Sequence, residues 1–172
     1  MKTRWSLGLV VISIACLKMA DAEGNRFAPV DKKFVLAVAA DGMTQVKLGE
    51  IARNRATSPS IKEFAETMVS DHSRADDDLN NIAAAHYMQI PTELDATHQA
   101  QVDRVVKLSE GQFDQAYLDQ VITDHKKAVT ALEAEQDTKQ SDLKDWTDRT
   151  LPTIKHHLNM ILSIKSKVPK AL

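Results

Sequence analysis

Histidine is the residue type in this chain best suited to do chemistry. There are six, at His72, His86, His98, His125, His156 and His157. A neutral imidazole binds Zn²⁺, copper or Fe²⁺ through one ring nitrogen while the other is held by a partner. Two of the six recur in one setting. Met68-Val69-Ser70-Asp71-His72 is echoed by Val121-Ile122-Thr123-Asp124-His125, 53 residues later. On a helix, His72 and His125 fall in apolar seams, and His157 falls beside a third. Imidazoles from three helices could meet near a bundle axis and hold Zn²⁺, Cu²⁺ or Fe²⁺. Asp71 and Asp124 each lie about 100° round the helix from the following histidine, so each points towards a neighbouring helix and could orient a histidine there. The plainer reading of these His–Asp sets is a hydrogen-bonded polar layer that fixes helix register. The sequence favours that layer.

Other chemistries find less support. A dimetal carboxylate bundle needs Glu-x-x-His on two helices. None of the six histidines has Glu three residues before it, and Asp95-x-x-His98 comes nearest. Glu50, Glu133 and Glu135 could supply single carboxylates, but helical charges usually face water. Met43, Met68, Met88 and Met160 sit at helical spacing and read as core. Asp76-Asp77-Asp78 contains no glycine and lacks the spacing of a calcium loop, so it reads as a solvated face. His86 and His98 read as surface residues and His156 as solvated. No nucleophile–base pair and no glycine-rich phosphate loop is evident, so nothing argues for an enzyme.

The elements that must position these residues are helices. Apolar spacing follows the helical period throughout. A first helix is expected from an Asp31 cap to about Ala56, with Gly42, Gln45 and Gly49 on its inner face. The two glycines imply close approach by another helix. Ser58 and Pro59 open a second helix running to about Met88. Thr92 is a plausible cap for a short helix over 92–108. Ser109-x-x-Gln112 reads as a capping box opening a helix to about Gln136. Ser141 caps the last, which Pro152 should kink or shift in face. A further echo, Ser60–Glu66 with Asp142–Asp148, matches Phe64 to Trp146 and suggests two related hairpins. The long link between them can cross the bundle. The expected fold is all-α: a ferritin-like four-helix bundle with a short extra helix in the crossover.

These motifs, with Leu151-Pro152-Thr153-Ile154-Lys155-His156-His157, resemble a bacterial exported family catalogued as domain of unknown function 4142. The resemblance spans about residues 32–165. It implies a ferritin-like bundle in the cell envelope and no established activity. Gln45 stands where the family usually carries glutamate, which weakens any carboxylate ligand from the first helix.

Residues 1–22 read as a signal peptide. Lys2 and Arg4 precede an apolar stretch from Ser6 to Leu17, too short to span a membrane, and Ala20-Asp21-Ala22 fits cleavage after Ala22. Lipidation at Cys16 is a poorer match, because Ser13 stands where a Leu-like residue is usual. Cleavage would remove the only cysteine, along with three of 22 basic and one of 24 acidic residues. The remaining 23–172 would form one bundle domain (core 32–165) with a net charge of −4 and no membrane span. It has no basic stripe, so nucleic acid is not an expected partner. Its expected compartment is the periplasm or the exterior.

Two functions of different classes fit. One is a non-catalytic, stress-related module that acts by contact with an envelope protein, the membrane surface or itself. The other is a ferritin-like transition-metal-binding protein using His72, His125 and His157, with Asp71, Asp124 and Gln45 as supporting polar residues. The missing Glu-x-x-His and Gln45 favour the first; the three histidines favour the second. The balance falls narrowly to the contact module.

Overall fold

The structure, a computed structural model, describes residues 26–168, and every regular element in that span is helical. The expected signal peptide, with its expected cleavage after Ala22, and Cys16 lie outside the described residues. The helices are α1 (Pro29–Arg55), α2 (Pro59–Ala85), α3 (Ala96–Val106), α4 (Glu110–Glu135) and α5 (Ser141–Lys167). Four are long; α3 is the short helix of the crossover.

Contacts at the two ends fix the direction of each helix. At one end, the Thr57 and Ser58 backbone N–H groups and the Thr57 hydroxyl donate to the Asp114 carboxylate. This ties the α1–α2 turn to the start of α4. Arg55 donates to the carbonyls of Val106 and Leu108 and lies 4.6 Å over the Phe113 ring, anchoring the end of the crossover there too. At the other end, Thr138 in the α4–α5 turn donates to Asp31 at 2.9 Å, beside the start of α1. The crossover, residues 86–109, therefore runs the length of the bundle. Consequently α2 and α4 are parallel and diagonal, while α1 packs on α2 and α4, and α5 packs on α2 and α4. This is the crossover connection expected, not a simple up-down-up-down order.

That topology explains the two sequence echoes. Parallel α2 and α4 place equivalent positions at one height, so Phe64 and Tyr117 share one apolar cluster. Antiparallel α2 and α5 place equivalents at opposite ends, so Trp146 lies in the other cluster, with its Nε1 donating to Ala75 O at 3.1 Å. Gly42 and Gly49 do mark close approach. A Cβ on Gly49 would lie 2.8 Å from Val69 Cγ2, and one on Gly42 would collide with the Asp76 carboxylate.

Several local expectations are corrected. Helix α1 starts at Pro29 with Ala28 as cap; Asp31 lies inside the first turn and is buried against Thr138. Helix α2 ends at Ala85 rather than Met88. Tyr87 takes a left-handed φ of 56°, and Met88 N–H returns to Ala83 O, closing a Schellman turn without glycine. Asp95, not Thr92, caps α3, accepting from the N–H groups of Thr97 and His98. The Ser109 hydroxyl bonds the Gln112 side chain, so the expected capping box is not formed. Gln140 occupies the cap position of α5, and Ser141 is its first residue. Helix α5 continues through Pro152, which is exposed, and its buried face stays in phase from Leu143 to Ile161. The carbonyl that Pro152 leaves without a helical donor belongs to Asp148, itself on the exposed side. His86 is buried, not on the surface: it stacks on Phe27 at 4.1 Å and meets Asp142 at 2.8 Å. Asp77 and Asp78 are solvated as expected, but Asp76 is half-buried.

Candidate metal centre

The bundle has a waist. One apolar cluster, containing Met68, Val121 and Ile161, fills the half near the α1–α2 turn; a second, with Leu79, Leu132 and Ile154, fills the other half. Between them lie His72 on α2, His125 on α4 and His157 on α5. Their relative exposures are 8%, 1% and 0%. The echo in α2 and α4 puts the first two at one level, and the antiparallel α5 brings the third into the same layer. Ring centroids are 5.5 Å apart for His72–His125 and 5.6 Å for each other pair. One ring nitrogen from each lies within 4.8 Å of those of the other two.

Hydrogen bonds fix the tautomers of two rings. His125 Nδ1–H donates to Val121 O at 2.9 Å, leaving Nε2 as a lone-pair nitrogen. His157 Nε2 lies 3.0 Å from Asp71 Oδ2; an ionised carboxylate can only accept, so Nε2 carries the proton and Nδ1 is left bare. His72 Nε2, His125 Nε2 and His157 Nδ1 are all buried without a partner. Protonation would not satisfy them. Burial, then His125 and His157, holds His72 well below the ordinary histidine range. Burial, then His157, takes His125 down to about 4. Burial lowers His157 as well, with Asp71 acting the other way. The three rings are neutral at physiological pH, the state in which imidazole binds metal.

The dimensions suit one ion. If each pair of nitrogens were 4.8 Å apart, a central ion would lie about 2.8 Å from each. Bonds of about 2.0–2.1 Å require each ring to move in by only about 0.7 Å. A solvent-reaching cleft of about 160 Å³ adjoins His72 and His157, giving room for a water as fourth ligand.

The supporting residues divide. Asp71 does what the sequence suggested, reaching His157 on a neighbouring helix while also pairing with Arg74 at 2.8 Å. Asp124 does not orient a histidine. Its carboxylate accepts from the amides of Gln45, Gln101 and Gln120, joining α1, the crossover helix and α4. Gln45 thus faces Asp124, and its own Oε1 is buried without a partner. The sequence did not single out Gln101 or Gln120; an amide on a polar face carries no signal until its partner is placed. Asp95-x-x-His98 resolves into a cap: Asp95 Oδ2 accepts from His98 Nδ1 at 2.8 Å, and His98 Nε2 lies 3.4 Å from Asp41, so His98 is half-buried and not on the surface. His156 is exposed, as expected, and the four methionines are buried or half-buried.

Residues 16–164 match the family described as Domain of unknown function (DUF4142), and the chain belongs to it. No curated protein matches it. Two solved structures share the fold. A DUF305 fragment from Deinococcus radiodurans is 12% identical, with a TM-score of 0.74, covering 83% of this chain and 99% of that one. CopM in its silver-bound form is 16% identical, with a TM-score of 0.65, covering 79% of this chain and 95% of that one.

Proposed function

We propose that this member of the DUF4142 family binds one transition-metal ion between His72, His125 and His157. The observation that carries this reading is that three buried, neutral histidines, each with a ring nitrogen that has no partner, bring one ring nitrogen each within 4.8 Å of the others. A layer that served only helix register would be expected to pair its nitrogens, because each buried unsatisfied group costs about 1–3 kcal/mol. Here two rings are instead held through one nitrogen, by Asp71 and Val121, and the other nitrogen is buried and bare. The all-imidazole donor set suits Zn²⁺ or copper better than Fe²⁺, since no carboxylate joins the group. That CopM, of similar fold, is seen with silver adds support for a metal in such a bundle. The role that fits is holding or passing on a metal, not oxidation at a two-metal carboxylate centre.

The sequence-based contact module gains less support. Among the described residues, the large exposed apolar side chains are Val30 on α1, Tyr87 in the turn after α2, Val106 at the end of α3 and Leu162 on α5. No described helix is long and apolar enough to cross a membrane. Within the same proposal the protein works in the periplasm or outside the cell, its leader removed after Ala22; mass spectrometry of native protein should then find Glu23 at the N-terminus.

The test is titration of purified protein with Zn²⁺, Co²⁺ and, anaerobically, Cu⁺. One equivalent should bind and raise the melting temperature. His72→Ala, His125→Ala and His157→Ala should each weaken binding at least about 100-fold while remaining helical by circular dichroism. Absence of any metal-dependent shift in the wild type would overturn the reading.

A further inference from the structure

The triad is approached from two sides, and they differ in charge. On one side the cleft beside His72 and His157 is lined by Asp71 and Asp78 but also by Arg74 and Arg149, and Asp71 is already paired with Arg74. A cation gains little there. On the other side a cavity of about 40 Å³ borders His72 and His125, with Gly42, Gln45 and three acids, Asp41, Asp76 and the amide-bound Asp124, in its wall. That is space for a bare or partly hydrated ion. Beyond it a surface groove carries Glu50, Asp76, Asp77 and Glu93 against Lys47, four carboxylates to one ammonium. Asp76 alone lines both the inner cavity and the outer groove.

Its placement is specific. Asp76 stands four residues after His72, one turn along the same face of α2. Its carboxylate reaches between helices because α1 has no Cβ at position 42; any side chain there would collide with it. Among the described residues no hydrogen bond or ion pair holds this carboxylate. Burial, then Asp77, pushes its pKa up to about 7, so its charge is uncompensated and a passing cation would relieve it. Inward from it, Gln45 Oε1, His72 Nε2 and His125 Nε2 are buried and unpartnered. The donors run from carboxylate oxygen through amide oxygen to imidazole nitrogen, from hard to softer.

We propose that Asp76 is the relay by which divalent or monovalent metal cations pass from the acidic groove into the His72–His125 side of the triad, with Gly42 as the gap that admits its carboxylate. This rests on the metal-binding reading above. Asp76 is not itself a ligand of the final site, so it should govern the rate of loading and leave the equilibrium alone.

The experiment is stopped-flow uptake of Co²⁺ by the metal-free protein, read by its visible absorption. Asp76→Asn keeps the shape and removes the charge. Its association rate should fall about 10-fold or more, with stoichiometry and dissociation constant near wild type, and its rate should depend less steeply on ionic strength. Asp78→Asn, on the opposite cleft, should load at the wild-type rate. Wild-type loading by Asp76→Asn, or equal slowing by Asp78→Asn, would overturn the relay while leaving the triad intact. Failure of the wild type to bind Co²⁺ at equilibrium would overturn both.

Discussion

Asp71→Asn is the substitution that best separates a metal centre from a polar layer. In the wild type, Asp71 can only accept, so His157 must carry its proton on Nε2 and present Nδ1 to the other rings. Asparagine can equally donate to Nε2, which would move the proton to Nδ1 and block it. Loss of such a partner behind a metal-bound histidine typically weakens binding 10–100-fold, about 1.4–2.7 kcal/mol. At a free metal concentration 1,000 times the wild-type dissociation constant, binding stabilises the fold by about 4.1 kcal/mol. For a domain of this size 1 kcal/mol moves the melting temperature by about 3 °C. The wild type should therefore gain about 12 °C on adding metal, and Asp71→Asn about 4–8 °C. Without metal the two should melt within about 3 °C of each other, because asparagine can still bond His157 and the Arg74 end of the pair that is also lost is exposed, which makes the pair worth about 1 kcal/mol or less. The assay is differential scanning calorimetry with and without Zn²⁺, backed by isothermal titration. Equal metal-induced shifts in the two proteins, or a large loss confined to the metal-free state, would refute the reasoning and restore the structural layer.

Three further outcomes follow from the burial and charge of single groups. The metal-free protein should lose stability as pH falls from about 6.5 to about 4. In that window the unfolded chain protonates His125 while the native state, with its pKa near 4, does not; urea unfolding at stepped pH would show it, and a flat profile would contradict it. Asp76 acts with opposite sign: its raised pKa of about 7 means its charge costs stability above pH 7, and that cost disappears as pH falls towards 4. Asp76→Asn should therefore be more stable than wild type at pH 8 by on the order of 2 kcal/mol, half the full shift's worth because solvent reaches part of the carboxyl, with the gap closing at pH 4. Tyr87→Gly should raise stability by about 1 kcal/mol in denaturant melts, since it relieves a left-handed φ at an exposed side chain.

The architecture was legible because it is written in period and repetition. Apolar spacing set the helices, and the length of the 86–109 link implied a crossover. The seams put His72, His125 and His157 in or beside the apolar interior, and the parallel run of α2 and α4 then set the first two at one height. What failed were features that depend on partners distant in sequence. Asp31 looks like a cap and is a buried acceptor for Thr138, 107 residues away. Asp124 has the same local setting as Asp71, yet α5 offers His157 to Asp71 whereas α1 and the crossover offer glutamines to Asp124. His86 and Asp76 read as surface because neither Phe27 nor Gly42 announces that it will pack on them. The end of α2 was misplaced because a tyrosine performs the turn that glycine usually signals.

A polar layer at the waist of an apolar core invites one last comparison, with the core it replaces. His125 is 1% exposed; its Nδ1–H bonds a carbonyl of its own helix, and its Nε2 bonds nothing. If the layer exists to stabilise the bundle, removing this ring must cost stability. If it exists to receive an ion, the metal-free ring is a liability. The bare nitrogen costs about 1–3 kcal/mol, against about 1 kcal/mol for the bond to Val121. His125→Leu exchanges the imidazole for an apolar group of similar volume between Val121 and Ala128. It should make the metal-free protein about 1–2 kcal/mol more stable and abolish its response to Zn²⁺. Denaturant unfolding with a chelator present, repeated with excess Zn²⁺, measures both. A variant less stable than wild type without metal would show that the ring is there for the fold. One that is more stable, and indifferent to metal, would show a protein that accepts a weaker core to keep three nitrogens free for an ion.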